Sequence, residues 1–359
     1  MAVELKKLQE AAEQENEEAK DIAQTETSVE EQKALKNVRL RKSIGHEART
    51  NRWGYVFVAP FVITFAVFNL WPTVNTFILS FSDLEGLRKD FQLVGLANFI
   101  RLVNDSMFWG ALGNTMIIWT FNFIPQLGIA LVLSIWLSDT RLNLAGKGLF
   151  RAVIFMPNLL TAASVALLFR SLFGYPIGPV NQFLRAMGIS AVNIVNGVEV
   201  REAINFLRSV SFSRGIVAFI QWWMWYGHTL IMLMAGITSI PLSLYESATV
   251  DGANSRQTAW YITLPLLRPM MLYILITSMI GGMQMFDIPF AIDRFGMPDN
   301  KIRTTVLYQF NVAFMGRFDR SYGAAISIGI FIVTVFLAML IFFFLQDRSE
   351  IKKRKGGNA

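Results

Sequence analysis

The chain has 359 residues, of which 53% are apolar and 16% are charged, and it contains no cysteine. Soluble globular domains carry about 25% charged residues, so this composition argues against an ordinary soluble enzyme. The lack of cysteine excludes disulfides and thiolate metal sites. The net charge is +7, and its Lys and Arg residues lie mostly between long apolar runs, which indicates membrane topology and not nucleic-acid binding.

Residues 1–50 are rich in Glu, Lys, Gln and Ala and hold too few apolar side chains to build a core. The first apolar run begins only after them and is far longer than the apolar part of a signal peptide. We therefore predict a polar N-terminal arm over 1–50 and an uncleaved first span after it.

Six apolar stretches follow, each long enough to cross a hydrocarbon layer of about 30 Å as a helix. They cover 54–80, 111–137, 149–173, 215–240, 266–292 and 322–345. Several contain proline or glycine, which a membrane bundle tolerates when neighbouring helices satisfy the freed backbone groups. The sequence therefore predicts an all-α integral membrane fold, a six-span helical bundle over 51–346.

Lys and Arg are denser on one side of these spans than on the other. The denser stretches are 39–53, 138–148, 241–265 and 346–359. Positively charged loops stay in the cytoplasm, so we expect a multi-pass protein of the bacterial inner or plasma membrane with both termini cytoplasmic. The segment 347–359 is then a basic cytoplasmic tail.

Reactive side chains are scarce in and beside the predicted spans. His228 is the single histidine within a span, where an imidazole bonded to a neighbouring helix and a proton carrier are both possible. The sequence has no metalloprotease or nucleophile-elbow motif, and Gly146-Lys147-Gly148 lacks the Ser or Thr that completes a phosphate loop. We expect no enzyme activity, catalytic residue, metal or cofactor in this chain, and any ATP would be hydrolysed by a partner.

The predicted cytoplasmic loop 241–265, between the fourth and fifth spans, carries helix signals. Ser243 followed by Glu246 has the spacing of a capping box, which predicts that a short helix begins there. Gly252 can adopt the left-handed backbone that ends such a helix.

A second set of signals follows at once in the same loop. Asn254 with Gln257 repeats the cap spacing and predicts a second short helix. Pro265 lacks an amide hydrogen and is expected to end this helix before the fifth span. Two short helices joined by a sharp bend form a protruding element that can dock into a groove on a partner protein.

This loop resembles the EAA motif found in the permease subunits of binding-protein-dependent ABC importers. The residues that carry the resemblance are Glu246, Ser247, Ala248, Asp251, Gly252, Ala253, Ile262, Leu264 and Pro265. Ser247 stands where alanine is usual, and the Asp-Gly-Ala at 251–253 is typical of the sugar branch. The resemblance implies the fold of a type I importer permease, of the MetI-like class, with 241–265 as its cytoplasmic coupling helices.

Shorter stretches are similar to the same sugar permeases, and together they leave out only about the first fifty residues. They lie at 80–83, 94–99, 150–157, 178–188, 286–290 and 322–325. The resemblance implies a heterodimer with a second homologous permease, two ABC ATPase subunits that bind ATP and magnesium, and an extracytoplasmic solute-binding protein. It also implies a carbohydrate substrate and assigns the contact with the ATPases to the loop.

Aromatic and amide side chains within the predicted spans are candidates for a sugar pathway. Aromatic faces stack on sugar rings, but packing against the partner permease or an interfacial tryptophan belt explains the same residues. The candidates are Trp222, Trp225, Tyr226, Gln221, Asn122, Gln126 and Gln284.

The alternative interpretation is an ion-gradient-driven secondary transporter or a channel subunit. Such a protein is expected to carry intramembrane carboxylates or an inverted repeat. Asp287 is the one acidic candidate in the predicted spans.

Overall fold

The computed structural model describes residues 52–86, 90–138, 146–195, 198–316 and 318–345. The polar arm predicted at 1–50 and the basic tail predicted at 347–359 lie outside the described residues. The chain divides into two compact units, with the boundary between Val74 and Asn75.

The first unit is helical throughout its described part. Helix α1 (Arg52–Phe65) continues through a π-helical turn (Ala66–Leu70) into the start of α2 (Trp71–Ser80). The hydroxyl of Thr64 donates to the carbonyl of Pro60 at 2.7 Å, so this polar group is satisfied within the helix. Its large apolar side chains are exposed, as expected of a surface that meets lipid or another subunit.

The second unit holds the remaining helices and one β-hairpin. Its helices are α3 (Ala97–Val103), α4 (Ser106–Ser138), α5 (Lys147–Phe155), α6 (Ala162–Leu172), α7 (Pro179–Ala186), α8 (Val210–Thr238), α9 (Leu242–Val250), α10 (Ser255–Thr258), α11 (Leu264–Leu266), α12 (Arg268–Met283), α13 (Asp287–Ile292), α14 (Thr305–Phe314) and α15 (Arg320–Leu345). The hairpin pairs β1 (Ala191–Val195) with β2 (Val198–Glu202) in antiparallel register.

Among the described residues, five helices are long and apolar enough to cross a membrane. They are Gly54–Ser80, Ser106–Ser138, Val210–Thr238, Arg268–Ile292 and Arg320–Leu345. These five correspond to the first, second, fourth, fifth and sixth predicted spans.

The third predicted span, 149–173, is a bent pair of helices instead of one continuous helix. Lys147–Leu159 and Ala162–Leu172 meet at 87°. Pro157 lies in a 3₁₀ turn at the end of the first segment, and the backbone of Leu160 and Thr161 is extended. Proline removes an amide donor and crowds the preceding turn, which favours the change from α-helix to a 3₁₀ turn before the extended residues.

Helix α4 is the centre of the second unit, because it contributes to all three of its hydrophobic clusters. One cluster joins Ile118 to α6, α8 and α13, a second joins Phe108 to α3, α12 and α15, and the third joins Phe123 to α8 and α12. Burial of these apolar faces orients α8 and α12 against α4.

A polar network ties α3 and the start of α4 to α14 and α15. The carboxylate of Asp105 accepts hydrogen bonds from the hydroxyls of Tyr308, at 2.5 Å, and Tyr322. Arg101 pairs with Asp319 at 2.7 Å and lies 3.7 Å from the centroid of the Tyr322 ring. Burial alone would raise the pKa of Asp105, but the hydrogen bonds from both hydroxyls and two backbone amides outweigh it, so the pKa lies below its ordinary value of 3.8.

Candidate functional site

The predicted loop 241–265 is a helical element, the 241–265 element. Its first helix begins earlier than the sequence predicts. Helix α9 starts at Leu242 with Pro241 at its N-cap, and no side chain caps it. Ser243 therefore lies inside the first turn, so the predicted capping box of Ser243 and Glu246 is wrong. Pro241 has ψ of 129° and stands just outside the helix, which begins at the next residue, Leu242.

The bend at Gly252 is formed as predicted. Gly252 has φ of +76°, in the left-handed region that glycine adopts without steric cost. Its amide donates to the carbonyl of Thr249 at 3.1 Å, and the amide of Ala253 donates to the carbonyl of Ala248 at 2.9 Å. These two bonds form a Schellman motif, which satisfies the last carbonyls of α9 and fixes the direction of the bend.

The second predicted cap is confirmed. The amide of Gln257 donates to Oδ1 of Asn254, and the amide of Asn254 donates to Oε1 of Gln257, both at 2.9 Å. Helix α10 follows over Ser255–Thr258.

The element does not end at Pro265. A π-helical turn (Ala259–Thr263) leads from α10 into α11, and Leu267 keeps a helical backbone before α12 begins at Arg268. Pro265 falls in the first turn of α11, where a missing amide hydrogen is tolerated. The prediction that proline would close the unit is therefore wrong, and the second short helix is continuous with the fifth span.

The residues of the EAA motif divide into an outward and an inward group. Glu246, Ser247, Asp251, Gly252 and Pro265 are exposed, whereas Ala248 is buried and Ala253, Ile262 and Leu264 are half-buried. Glu246, Ser247, Asp251 and Gly252 lie along α9 and its bend, where another protein can reach them, whereas Pro265 lies in α11.

A groove of about 700 Å³ lies between the 241–265 element and the ends of α4 and α8. Trp136 and Ile237 line it from the two spans, and Glu246, Arg256 and Trp260 line it from the element. The hydroxyls of Tyr245 and Thr263 are 3.1 Å apart and link α9 to the π-helical turn. These contacts make the two arms of the element one packed unit.

A second cavity, of about 170 Å³, lies between α4, α8 and α12. The residues that line it are Trp119, Asn122, Gln126, Gln221, Trp225, His228, Thr229, Met232, Ile274, Thr277, Ser278, Gly281 and Gly282. The structure thus brings together four of the predicted pathway residues, namely Asn122, Gln126, Gln221 and Trp225.

The other three predicted pathway residues do not line this cavity. Trp222 stacks on Tyr226 with ring centroids 5.5 Å apart and also contacts Phe219. Gln284 follows the end of α12 and is exposed. The aromatic face of α8 is therefore split, because Trp225 is about 100° around the helix from Tyr226.

Close packing shapes the cavity wall. A Cβ atom on Gly282 would lie 2.3 Å from Cδ1 of Trp119, so only glycine lets this indole lie against α12. The indole nitrogen of Trp119 donates to the hydroxyl of Ser278 at 3.2 Å, and the ring of His228 meets that of Trp225 edge-on at 5.8 Å.

Sequence reasoning missed Trp119, His228 as a wall residue, and the hydroxyls of Thr229, Thr277 and Ser278. A helical spacing was available as a signal, since 119, 122 and 126 recur every three or four residues, as do 221, 225 and 228. Nothing in the sequence showed that these faces meet.

The family described as "Binding-protein-dependent transport system inner membrane component" matches residues 105–352. The chain is 32% identical to the lactose transport system permease protein LacF of Rhizobium radiobacter over 296 residues, which cover 82% of this chain and 94% of that protein. It is 31% identical to the arabinooligosaccharides transport system permease protein AraP of Bacillus subtilis, over 80% of this chain and 86% of that protein.

Two solved structures have the same fold. One is of a bacterial ABC transporter involved in the import of the acidic polysaccharide alginate, with a TM-score of 0.68 and 20% identity over 86% of this chain and 98% of that chain. The other is of a bacterial alginate ABC transporter in complex with an alginate pentasaccharide-bound periplasmic protein, with a TM-score of 0.66 and 21% identity over 85% and 96% of the two chains.

The predicted importer-permease fold is confirmed by these matches. The relatives are transport subunits and not enzymes, in line with the expectation from the sequence. This multi-pass membrane chain therefore belongs to the family of inner membrane components of binding-protein-dependent transport systems.

Proposed function

We propose that this chain is the permease subunit of an ATP-driven ABC importer for a sugar or oligosaccharide. It forms half of the translocation pathway in the bacterial inner or plasma membrane, with both termini in the cytoplasm. The proposal is supported by membership of the family and by relatives named for lactose and arabinooligosaccharides.

The partners follow from this role. A second homologous permease supplies the other half of the pathway, two ABC ATPases bind ATP and magnesium, and an extracytoplasmic solute-binding protein delivers the sugar. The alginate transporter solved with its periplasmic protein supports such an assembly. The exposed apolar side chains of the first unit give this chain a surface for lipid or for the second permease.

The observation that carries the proposed mechanism is the continuity of the 241–265 element with α12. ATP closes the ATPase pair, and the docked element moves with it as a rigid body. Because α10, the π-helical turn and α11 run into α12, this movement reaches Gly281 and Gly282 in the cavity wall. The pathway then alternates between inward and outward states whose populations ATP shifts.

Within the pathway we assign sugar contacts to Asn122, Gln126, Gln221 and Trp225. They share one cavity, where an indole face can stack on a sugar ring and amides can bond its hydroxyls. For Trp222 and Tyr226, which stack on each other away from the cavity, packing is the better explanation.

The docking role is tested with Gly252→Pro and Glu246→Lys in the complete importer, reconstituted in liposomes with its binding protein. Both variants should insert in the membrane but lose ATP-driven uptake and fail to copurify with the ATPases. Proline cannot adopt the positive φ of Gly252 and removes its amide bond to Thr249.

Gly188→Pro is a matched control at a position proposed to lie on the opposite side of the membrane. Gly188 has φ of +77°, and its amide donates to the carbonyl of Arg185 at the end of α7. It suffers the same backbone change but should retain the ATPases. Normal uptake in both 241–265 variants would refute the docking role, and uptake by this chain alone, without ATPases, would favour a gradient-driven transporter.

A further inference from the structure

The side chains that line the cavity between α4, α8 and α12 have one chemistry in common. They are indoles, amides, hydroxyls, alkyl groups, a thioether and one imidazole, and none of the described lining residues is Asp, Glu, Lys or Arg. A charge that enters such a site exchanges its hydration for neutral dipoles. Without a counter-charge this exchange is strongly unfavourable.

The hydrogen bonds within the wall add a second selection, because they already engage some of its donors. Gln126 donates from Nε2 to the hydroxyl of Thr229 at 2.7 Å, and Trp119 donates its indole N–H to Ser278. Thr277 donates its hydroxyl to the carbonyl of Tyr273 at 2.8 Å.

The second amide that α4 contributes follows the same pattern. Asn122 donates from Nδ2 to the carbonyl of Ile118, one turn earlier in α4. Each of these amides has a second N–H, so it can offer a ligand one donor together with its carbonyl oxygen. A sugar hydroxyl can use both, because it donates and accepts, whereas a carboxylate is acceptor-only and is repelled by the carbonyl oxygens.

From this wall chemistry we infer that the cavity passes uncharged sugar units and rejects sugar acids. The inference rests on the proposed function and narrows its substrate class. Family membership leaves the charge open, since relatives are named for lactose and a structural neighbour imports an acidic polysaccharide. Gln221 lines the cavity from α8, so a cationic side chain in its place should remove the selection against sugar acids.

The test uses the reconstituted importer with Thr277→Cys in this chain. Thr277 is exposed to the cavity, and because the chain has no cysteine of its own, the label on this subunit reports on one position. The rate of reaction with a small thiosulfonate reagent is measured with glucose, galactose, glucuronate or galacturonate present at equal ionic strength.

We expect the neutral sugars to slow labelling at least threefold and the two acids to leave the rate within about 1.3-fold. Gln182→Cys, on the exposed surface of α7, should react at one rate in all solutions. Equal protection by acids and neutral sugars would overturn the inference.

A second arm adds Gln221→Lys to the Thr277→Cys chain, with Gln182→Lys as the control. Protection by the acids should appear with Gln221→Lys and stay absent with Gln182→Lys. If neither sugar class protects position 277 while the importer and its binding protein still take up sugar with ATP, the inference fails and the proposed function stands. If the importer also takes up no sugar that its binding protein binds, both the inference and the proposed function fail.

Discussion

Single glycines set how closely the helices of this bundle approach. A Cβ atom on Gly227 in α8 would lie 2.3 Å from the carbonyl oxygen of Ile154 in α5. Backbone cannot yield as a flexible side chain does, so Gly227→Ala should destabilise the protein by about 1–3 kcal/mol. Thermal unfolding in detergent measures this loss.

The matched control is Gly215→Ala in the same helix, where an added Cβ meets no atom within 4 Å. This change should leave the melting temperature unchanged or slightly higher, since alanine favours a helix interior over glycine. Equal melting temperatures for the two variants would contradict the close contact between α5 and α8.

The charge of Asp105 should make the protein sensitive to acid. Because its pKa is lower in the folded protein than its ordinary value of 3.8, the ionised carboxylate favours the folded state. This stabilisation is complete above about pH 4 to 5 and is lost as the pH falls through the lowered pKa. At pH 7, Asp105→Asn should cost about 1–2 kcal/mol through weaker bonds to Tyr308 and Tyr322.

Melting temperatures of the wild type and Asp105→Asn are compared at pH 7 and near pH 3. The difference between them should shrink at the lower pH. Asp90→Asn removes an exposed carboxylate, so its melting temperature should differ little from that of the wild type at both pH values. A difference for Asp105→Asn that is as large near pH 3 as at pH 7 would show that its charge is not what stabilises the network.

At the scale of elements, the reciprocal cap of Asn254 and Gln257 should act as one unit. Asn254→Ala and Gln257→Ala should each weaken α10 by about 1 kcal/mol, and the double variant should be little worse than either. Amide hydrogen exchange over residues 254–258 measures the change, with Ser255→Ala as the neighbouring control. Fully additive losses would mean that the two bonds form independently.

Local signals predicted elements well where the interaction is local. The cap of Asn254 and the bend at Gly252 depend on residues within one or two turns, and both were found. Ser243 and Pro265 were misjudged because the helix start at Leu242 and the π-helical turn before Pro265 decide their positions. The break after Pro157 had a visible cause, but the hydropathy of 149–173 is that of a single span.

At the scale of the whole molecule, the sequence predicted the placement of six spans, of which five are single long helices, and missed how their faces meet. Hydropathy reports that a helix is apolar, but Trp222 and Trp225 are equally apolar, and only Trp225 lines the cavity. The cavity exists because Asn122, Gln221 and Thr277 come from three helices packed in one arrangement. That arrangement depends on contacts far apart in the sequence.

The proposed orientation predicts which exposed sites are reached from which side of the membrane. Val250→Cys and Tyr261→Cys, at positions that are 88% and 80% exposed, should react with a membrane-impermeant maleimide only after cells are opened. Ile177→Cys and Met297→Cys should react in intact cells. The cysteine-free chain has no background in this assay, and opened cells, where all four should react, are the control. The reverse pattern would invert the topology.

The unbroken helical path from Ser255 to Gly282 has a mechanical consequence. The path runs through α10, the π-helical turn, α11 and α12, so helical backbone joins the surface proposed for nucleotide-driven motion to the wall of the cavity without an intervening loop. A movement of the first helix is therefore passed along the backbone to the cavity wall. A disruptive substitution midway along this path, remote from both the ATPases and the substrate, would uncouple ATP hydrolysis from uptake as thoroughly as one at either end.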